Sequence, residues 1–336
     1  MPQRRDYIDE LKGLGILLVV LGHFIEQYRM GYSFVSASFF CIYAFHMALF
    51  CICSGLVARF NPRKLVTQQL WLYLVGQTLM LAFRAAVLRE NFAETGGLLA
   101  AWLLPWRHIW YLYALIFWHL TLPVLCRLRD RLGLAGSCLG MALAVGLALA
   151  AGLVDWPFTL VRVFAFYPFY ACGVLLRPQL DRLAAFAAEH RPVLVAAAGL
   201  VLGYGAYFLW VLRADPIMDH SAELFHDVSY AGGDRVQYRV VFYLVGIATT
   251  AALTVLASRW HLLAGLGRHT LAIYLLHLPV QALLVELGLY DLMRGKATIV
   301  VVLWSVLLAA VTLAVLNLSP VQRACDAVAN CWYKRK

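Results

Sequence analysis

A polytopic, all-α bundle of transmembrane helices is the fold this sequence predicts, on three observations. Hydrophobic residues make up 63% of the 336, charged residues 14%, and mean hydropathy is +0.75. A soluble domain carries roughly 25% charged residues, so this chain has little polar surface to offer water. The apolar residues fall into runs long enough to cross a bilayer, which takes about 20 residues at 1.5 Å each. The basic residues gather in alternate connections between those runs.

Ten runs qualify, at roughly 13–31, 36–58, 66–87, 108–126, 134–154, 158–176, 193–212, 238–257, 269–289 and 297–317. The first follows the charged start RRDYIDELK with no small-residue cleavage site after it, so it reads as a retained helix rather than a signal peptide. Ten spans put both termini on one side. With the N-terminus inside, the inward segments hold Arg4, Arg5 and Lys12; Arg59, Arg63 and Lys64; Arg127, Arg129 and Arg131; Arg177, Arg182 and Arg191; Arg259 and Arg268; and Arg323, Lys334, Arg335 and Lys336. That is the positive-inside pattern, and it places both termini in the cytoplasm. The net charge of +10 is therefore a topology signal. Basic residues spread over many loops form no single patch, which excludes nucleic acid as a partner. The expected organisation is one integral-membrane domain over 1–336, with its spans between about 13 and 317 and no separate soluble domain.

The first span carries the residue that matters most. His23 lies at bilayer depth, where an ionisable side chain is costly and by default functional. Lys12 precedes it by eleven residues, three turns plus about 20°, so the two share a helix face about 16 Å apart. Glu26 sits one turn beyond His23 and can fix its tautomer. The set reads as a charged handle, a general base and its carboxylate. In the second span His46 reads as a structural hydrogen-bond former or a cavity liner, as does His119 in the fourth. Gly55 allows close helix approach or a helix break, and Ser54 can donate into a cavity. Between these spans Arg59, Arg63 and Lys64 join Lys12 at the inner surface if the first two hairpins pack together. Cations there suit phosphate groups.

Arg84, deep in the third span, needs an anion, either a protein carboxylate such as Glu26 or a substrate group. The outer stretch 101–113 (AWLLPWRHIWYLY) reads as an interfacial aromatic belt, or with Arg107 and His108 as a platform for a sugar ring. The cysteines form no paired framework, and Cys51-x-Cys53 has neither zinc nor redox spacing, so they read as small apolar helix residues. The long outer connection 213–238 holds Asp215, Asp219, His220, Glu223, His226, Asp227 and Asp234, and reads as a lid, a polyol-binding segment or a solvated loop. Its spacing matches no familiar metal-ligand set, so no metal is expected. In the ninth span His277 can line the cavity, with Pro279 loosening the backbone beyond it; His269 reads as solvated.

These motifs resemble those of the type-three integral-membrane acyltransferases, especially the branch of sugar O-acetylases similar to fucose 4-O-acetylase. The family's basic-x10-His signature is matched by Lys12 and His23, preceded by Asp9. Its Phe-Phe-x-x-Ser-Gly-like motif is matched by Phe50-Cys51-Ile52-Cys53-Ser54-Gly55, with Cys51 in place of the second aromatic. Trp110-Tyr111-Leu112 stands for its Trp-Phe-Leu-like element, and Thr270 to His277 for its Ser-Leu-x-x-Tyr-x-x-His-like element. The match runs from 1 to about 317. It departs at NPRKLVTQQLW, where Arg63 and Lys64 are followed by Gln68 and Gln69 rather than by a second Arg.

The resemblance implies an O-acetyltransferase using acetyl-CoA or another acyl-CoA as co-substrate, no permanently bound cofactor, and a carbohydrate hydroxyl as acceptor. It implies catalytic roles for His23 and Glu26, and acyl-CoA contacts from Lys12, Arg63, Lys64 and Ser54. Arg84, Trp110, Tyr111 and His277 would line the cavity or the acceptor site. Membrane lipids are the surrounding partner, a bacterial inner membrane the expected location, and a homo-oligomer is left open. The competing class is a proton-coupled transporter or flippase for a sugar or lipid-linked intermediate. Against it, no inverted repeat is visible, and the polar residues concentrate in the first four spans and the ninth.

Overall fold

The computed structural model describes residues 6–154, 156, 157, 159–214 and 238–332. The acidic and histidine residues of the long outer connection, Asp215 to Asp234, lie outside the described residues, as do Arg4, Arg5 and the tail Lys334–Lys336. No strand occurs among the described residues. The helices are α1 Asp6–Glu26, α2 Ser33–Tyr43, α3 His46–Val57, α4 Trp71–Ala86, α5 Gly97–Leu103, α6 Trp110–Ala151, α7 Leu160–Leu175, α8 Arg177–Glu189, α9 Arg191–Ala214, α10 Tyr238–Ala257, α11 Thr270–Glu286, α12 Thr298–Leu316 and α13 Ser319–Asn330.

Helix covers each of the ten expected runs, with local corrections. The first helix starts earlier than its apolar run and ends at Glu26, followed by a 3-10 turn at Arg29–Gly31. The second run is broken at Ala44–Phe45, where Phe45 takes φ −142° and ψ −20°. A break inside an apolar segment frees carbonyls that need donors. Here His46 Nδ1 donates to Ile42 O at 2.9 Å and Tyr204 Oη to Cys41 O at 2.8 Å. The third run opens with Pro62–Lys64 and a π-helical turn, Leu65–Leu70, ahead of α4.

Among the described residues five stretches are long and apolar enough to cross a membrane alone: 33–57, 107–151, 191–210, 239–257 and 298–316. The pair α7–α8, bent by 65°, makes a sixth if taken together. The shortfall from ten has physical reasons. Asp6, Asp9, Glu10 and Lys12 load the first half of α1 with charge. The shorter α4 and α11 have 16 and 17 residues. The 42-residue run of α6 is two helices folded back at Gly133, which sits at φ 58°. Arg129 Nη1 and Ser137 Oγ reach the adjacent carbonyls of Val174 and Leu175, at 2.9 and 3.0 Å. In a straight helix those two residues would stand about 12 Å apart.

Amphipathic α8 and α13 were not expected from the sequence; both follow a span directly and have Pro near their first turn. Outward-facing leucine, valine and tryptophan cover the second arm of α6 (Leu139, Leu143, Leu147), α9 (Val195, Leu202, Trp210) and α12 (Ile299, Leu303, Val311). Water would reject such a surface and lipid accepts it, so this is an integral membrane bundle.

Directions follow from shared neighbours. Along α1, Glu10 accepts from Leu263 N at 2.8 Å, the His23 carbonyl accepts from Gln281 Nε2 at 2.5 Å, and Tyr28 Oη donates to Tyr290 O at 2.7 Å. Both partners' numbers rise together, so α1 and α11 run side by side in the same direction. Packing of α1 on the turn Ala264–Gly267 is intimate: a Cβ on Gly13 would strike Leu263 O, and one on Gly267 would strike Asp9 O. By contrast α3 and the first arm of α6 run opposite to α1, with His46 and His108 near the His23 end and Val57 and Leu115 near the Lys12 end.

Helices α3 and α7 cross at Gly55 and Gly173. A Cβ on Gly55 would collide with Tyr170 O and lie 2.9 Å from Gly173 Cα; one on Gly173 would collide with Ile52 O. Small residues let helix backbones touch in lipid, where no hydrophobic drive holds helices together. Backbone atoms cannot move aside as a side-chain tip can. Gly55→Val should therefore cost about 1–3 kcal/mol, seen as a lower thermal midpoint in detergent, whereas Gly199→Ala, beside which a Cβ meets open space, should not lower it.

Candidate active site

Two polar compartments lie along α1. At its start a cavity of about 270 Å³ is lined by Lys12, Lys64, Gln68, Gln69, Cys53, Ser54, Phe50, Tyr111, Thr270 and Tyr274, with apolar side chains between them. The π turn puts Lys64, Gln68 and Gln69 on one side, since wide turns shift the register of the side chains that follow. Of the three cations expected to join Lys12 there, Lys64 lines the cavity; Arg59 and Arg63 are exposed and outside its lining. Lys12 is held by Asp9, 3.5 Å away, and Asp9 also lies 3.9 Å from Arg268. Ser54 Oγ and Tyr111 Oη are hydrogen-bonded to each other at the inner end of the cavity. Gly55 serves close helix approach and not a break: it lies inside α3 and frees no helix-end N–H.

Phe50, Tyr111 and Tyr274 form the wall beyond which the second compartment begins. Their rings pack edge-on and stacked, with centroids 5.5 Å apart for Phe50–Tyr111 and 5.6 Å for Tyr111–Tyr274. Tyr274 Oη donates to the carbonyl of His108. Lys12 and His23 thus share a helix but not a compartment; the cavity lining stops short of His23.

The second compartment is a cluster of three imidazoles. The His277 ring lies between the other two, 5.3 Å from His23 and 5.0 Å from His108 between centroids. His23 Nδ1 is 2.8 Å from Tyr43 Oη and 3.3 Å from Glu26 Oε2. A carboxylate only accepts, so this contact places the proton on Nδ1 and leaves Nε2 as the basic nitrogen. His23 and Glu26 keep 19% and 36% of their side-chain surface exposed, so the pair is reachable from that end. Arg29 and Arg107 both act electrostatically on Glu26. His277 and His108 are buried.

The sequence names His277 and leaves His108 either in an aromatic belt or, with Arg107, in a platform for a sugar ring; it does not bring the two histidines together. The missed signal is Pro279. A proline lacks an N–H and orphans the carbonyl four residues earlier, here Leu275 O. His108 Nε2 supplies the donor, at 3.2 Å. Trp110, expected at the cavity, is buried against Phe166 at 5.0 Å and is not part of the lining. Arg84 does not meet Glu26. Its Nε and Nη2 hold both oxygens of Glu90, at 2.7 and 2.5 Å, and its guanidinium lies over Phe92 and Trp106, 5.0 and 5.8 Å from their centroids. In the same stretch Trp102 donates to Thr78 Oγ1 at 3.0 Å.

A family model described as an acyltransferase domain matches residues 5–319. The chain is also 26% identical over 316 residues to the nodulation protein NolL of Sinorhizobium fredii (strain NBRC 101917 / NGR234), covering 87% of this chain and 82% of that one. No solved structure matches.

Arg84 and Glu90 close the α4 end of this site, and their bond makes stability depend on pH. Hydrogen bonds from Arg84 hold the Glu90 carboxyl below its ordinary value, against a smaller opposing effect of burial. A lowered folded value stabilises the fold above the unfolded value, near pH 4.3, and this is lost as pH falls through the folded value. Glu90→Gln should lower the thermal midpoint at pH 7, and its gap from wild type should narrow on acidification below about pH 4. A gap constant with pH would show that the pair contributes nothing.

Proposed function

Because the chain belongs to the acyltransferase-domain family, we propose that it is a membrane O-acyltransferase moving an acetyl or other short acyl group from cytosolic acyl-CoA to a carbohydrate hydroxyl. The observation that carries this reading is the pairing of a base with an orienting carboxylate, His23 with Glu26, at one end of a helix whose other end presents Lys12 to a cavity. The reading includes ten spans and cytosolic termini, which put the Lys12 end inside. It also places the chain in a bacterial inner membrane, which the similarity to a Sinorhizobium protein supports.

Lys12 and Lys64 would hold the CoA phosphates as point charges, lacking the bidentate grip of Arg. The pantetheine arm would fill the cavity and bring the thioester to the Phe50–Tyr111–Tyr274 wall. The acceptor would enter at the exposed His23–Glu26 end. His23 Nε2 takes the hydroxyl proton as that oxygen attacks the thioester carbon. The tetrahedral intermediate then expels the CoA thiolate, which receives the proton back from His23, so no net proton is released. Of the two hydroxyl protons of Ser54 and Tyr111, one lies between them and the other is free for the oxyanion.

The test is release of CoA from radiolabelled acetyl-CoA by the purified protein in detergent. His23→Ala should slow release by roughly 10²–10⁴-fold, the range of general-base catalysis. Lys12→Ala should raise KM for acetyl-CoA by about tenfold with kcat largely kept. A folded His23→Ala protein that transfers at the wild-type rate would sink the mechanism. Counterflow of a labelled sugar in liposomes without any acyl donor would favour a carrier instead.

A further inference from the structure

Two nitrogens of the imidazole cluster have no donor among the described residues. His277 Nδ1 lies 3.0 and 2.9 Å from the carbonyls of Ile273 and Tyr274, and His108 Nε2 lies 3.2 Å from that of Leu275. Carbonyls only accept, so these nitrogens carry the protons. His277 Nε2 and His108 Nδ1 are then bare lone pairs, both buried and neither with a hydrogen-bond partner among the described residues. The side chains are 0% and 6% exposed, and their rings are 5.0 Å apart. Two buried acceptors on neighbouring rings are unfavourable until each has a donor.

The chemistry of that donor is restricted. Among the described residues no group of three or more His, Cys, Asp or Glu is placed to hold a metal ion. An ammonium would bring a buried charge, and the cluster's carboxylate, Glu26, is engaged with His23. Esters, ethers, carboxylates and phosphates would set lone pair against lone pair. A neutral hydroxyl fits.

Resting on the acyltransferase reading, the geometry points to His108 Nδ1 and His277 Nε2 as a hydroxyl-binding site for the acceptor, each nitrogen accepting one hydroxyl proton, beside the hydroxyl that reacts at His23. The His277 ring stands next to His23, 5.3 Å between centroids, so one polyol can engage both. The acceptor is thereby a polyol. A neighbouring position that already bears an acyl group has no proton to donate and is refused, which limits the enzyme to one acyl group per such set of hydroxyls. In these roles His108 and His277 are binding residues and His23 alone moves the proton.

The test reads the nitrogens directly. Full-length protein with ¹⁵N-histidine, in lipid nanodiscs, is titrated with methyl glycosides of a hexose, a 6-deoxyhexose and a hexosamine, and with their permethylated forms. At least one hydroxyl-bearing probe should move the unprotonated resonances of His108 and His277 toward the protonated range, and the permethylated forms should move neither. His277→Phe and His108→Phe should each weaken that probe about tenfold, the effect of one hydrogen bond. His277→Gln, which keeps an acceptor, should restore part of the affinity. Three outcomes would overturn the site: no shift with any hydroxyl probe, equal shifts with permethylated probes, or resonances already shifted without a probe, meaning water only. His23→Ala separates the two readings, because it should abolish acyl transfer while the His108 and His277 resonances still move on titration, at an affinity weaker by about the same tenfold.

Discussion

The structure depends on one constraint, the fixed register of α1 against the chain that runs from 263 to 296. Glu10, the His23 carbonyl, Tyr28 and Tyr32 each make a hydrogen bond across it, to Leu263, Gln281, Tyr290 and Lys296. A buried polar group that loses its partner in an apolar medium costs several kcal/mol, so the helix cannot slide or roll without breaking several bonds together. A slip of one residue would rotate His23 by about 100° and take it away from His277 and Tyr43. Gly13 and Gly267 permit this register, because any side chain at either would strike the opposing backbone.

The same rule, that no backbone group stays unpaired in lipid, explains which histidines are free for chemistry. His46 is spent on the carbonyl of Ile42 at the α2–α3 break, and His119 Nδ1 on the carbonyl of Leu115 at 2.7 Å. His119 Nε2 meets Gln69 at 3.1 Å, so both of its nitrogens have partners. His108 and His277 each give one nitrogen to a carbonyl and keep one. His23 has neither nitrogen on a carbonyl: Glu26 and Tyr43 serve Nδ1. The α2–α3 break places Tyr43 there, on the last turn before the chain bends.

Much of this was legible in the sequence, and the rest was hidden for identifiable reasons. Composition and apolar run length locate the helices because a bilayer leaves few alternatives. Lys12, His23 and Glu26 lie in one unbroken helix, which their spacing as one face requires. Periodicity says nothing about which neighbours stand between them, so the Phe50–Tyr111–Tyr274 wall was invisible. Arg84 needed an anion and has one, but Glu90 comes from the loop just after α4, where the sequence had suggested Glu26 or a substrate group. His108 stood in a run of aromatics, read as a belt or a sugar-ring platform, with nothing to link it to His277. Its burial depends on an orphan carbonyl at Leu275, 167 residues away.

The wall between the compartments ties them together mechanically. Tyr111 is bonded to Ser54, which faces the cavity, and Tyr274 is bonded to the backbone of His108, which belongs to the imidazole cluster. The rings of Tyr111 and Tyr274 also touch each other and Phe50. A thioester reaching from the Lys12 end toward His23 must displace at least one of these rings. Moving Tyr111 loosens Ser54 on the side it came from, and moving Tyr274 releases the backbone that carries His108. Close-packed rings shift between discrete arrangements and do not deform smoothly. On the acyltransferase reading, a donor that fills the cavity therefore acts on the acceptor's binding atoms before the two substrates meet, and the two ends of α1 are coupled through three aromatic side chains.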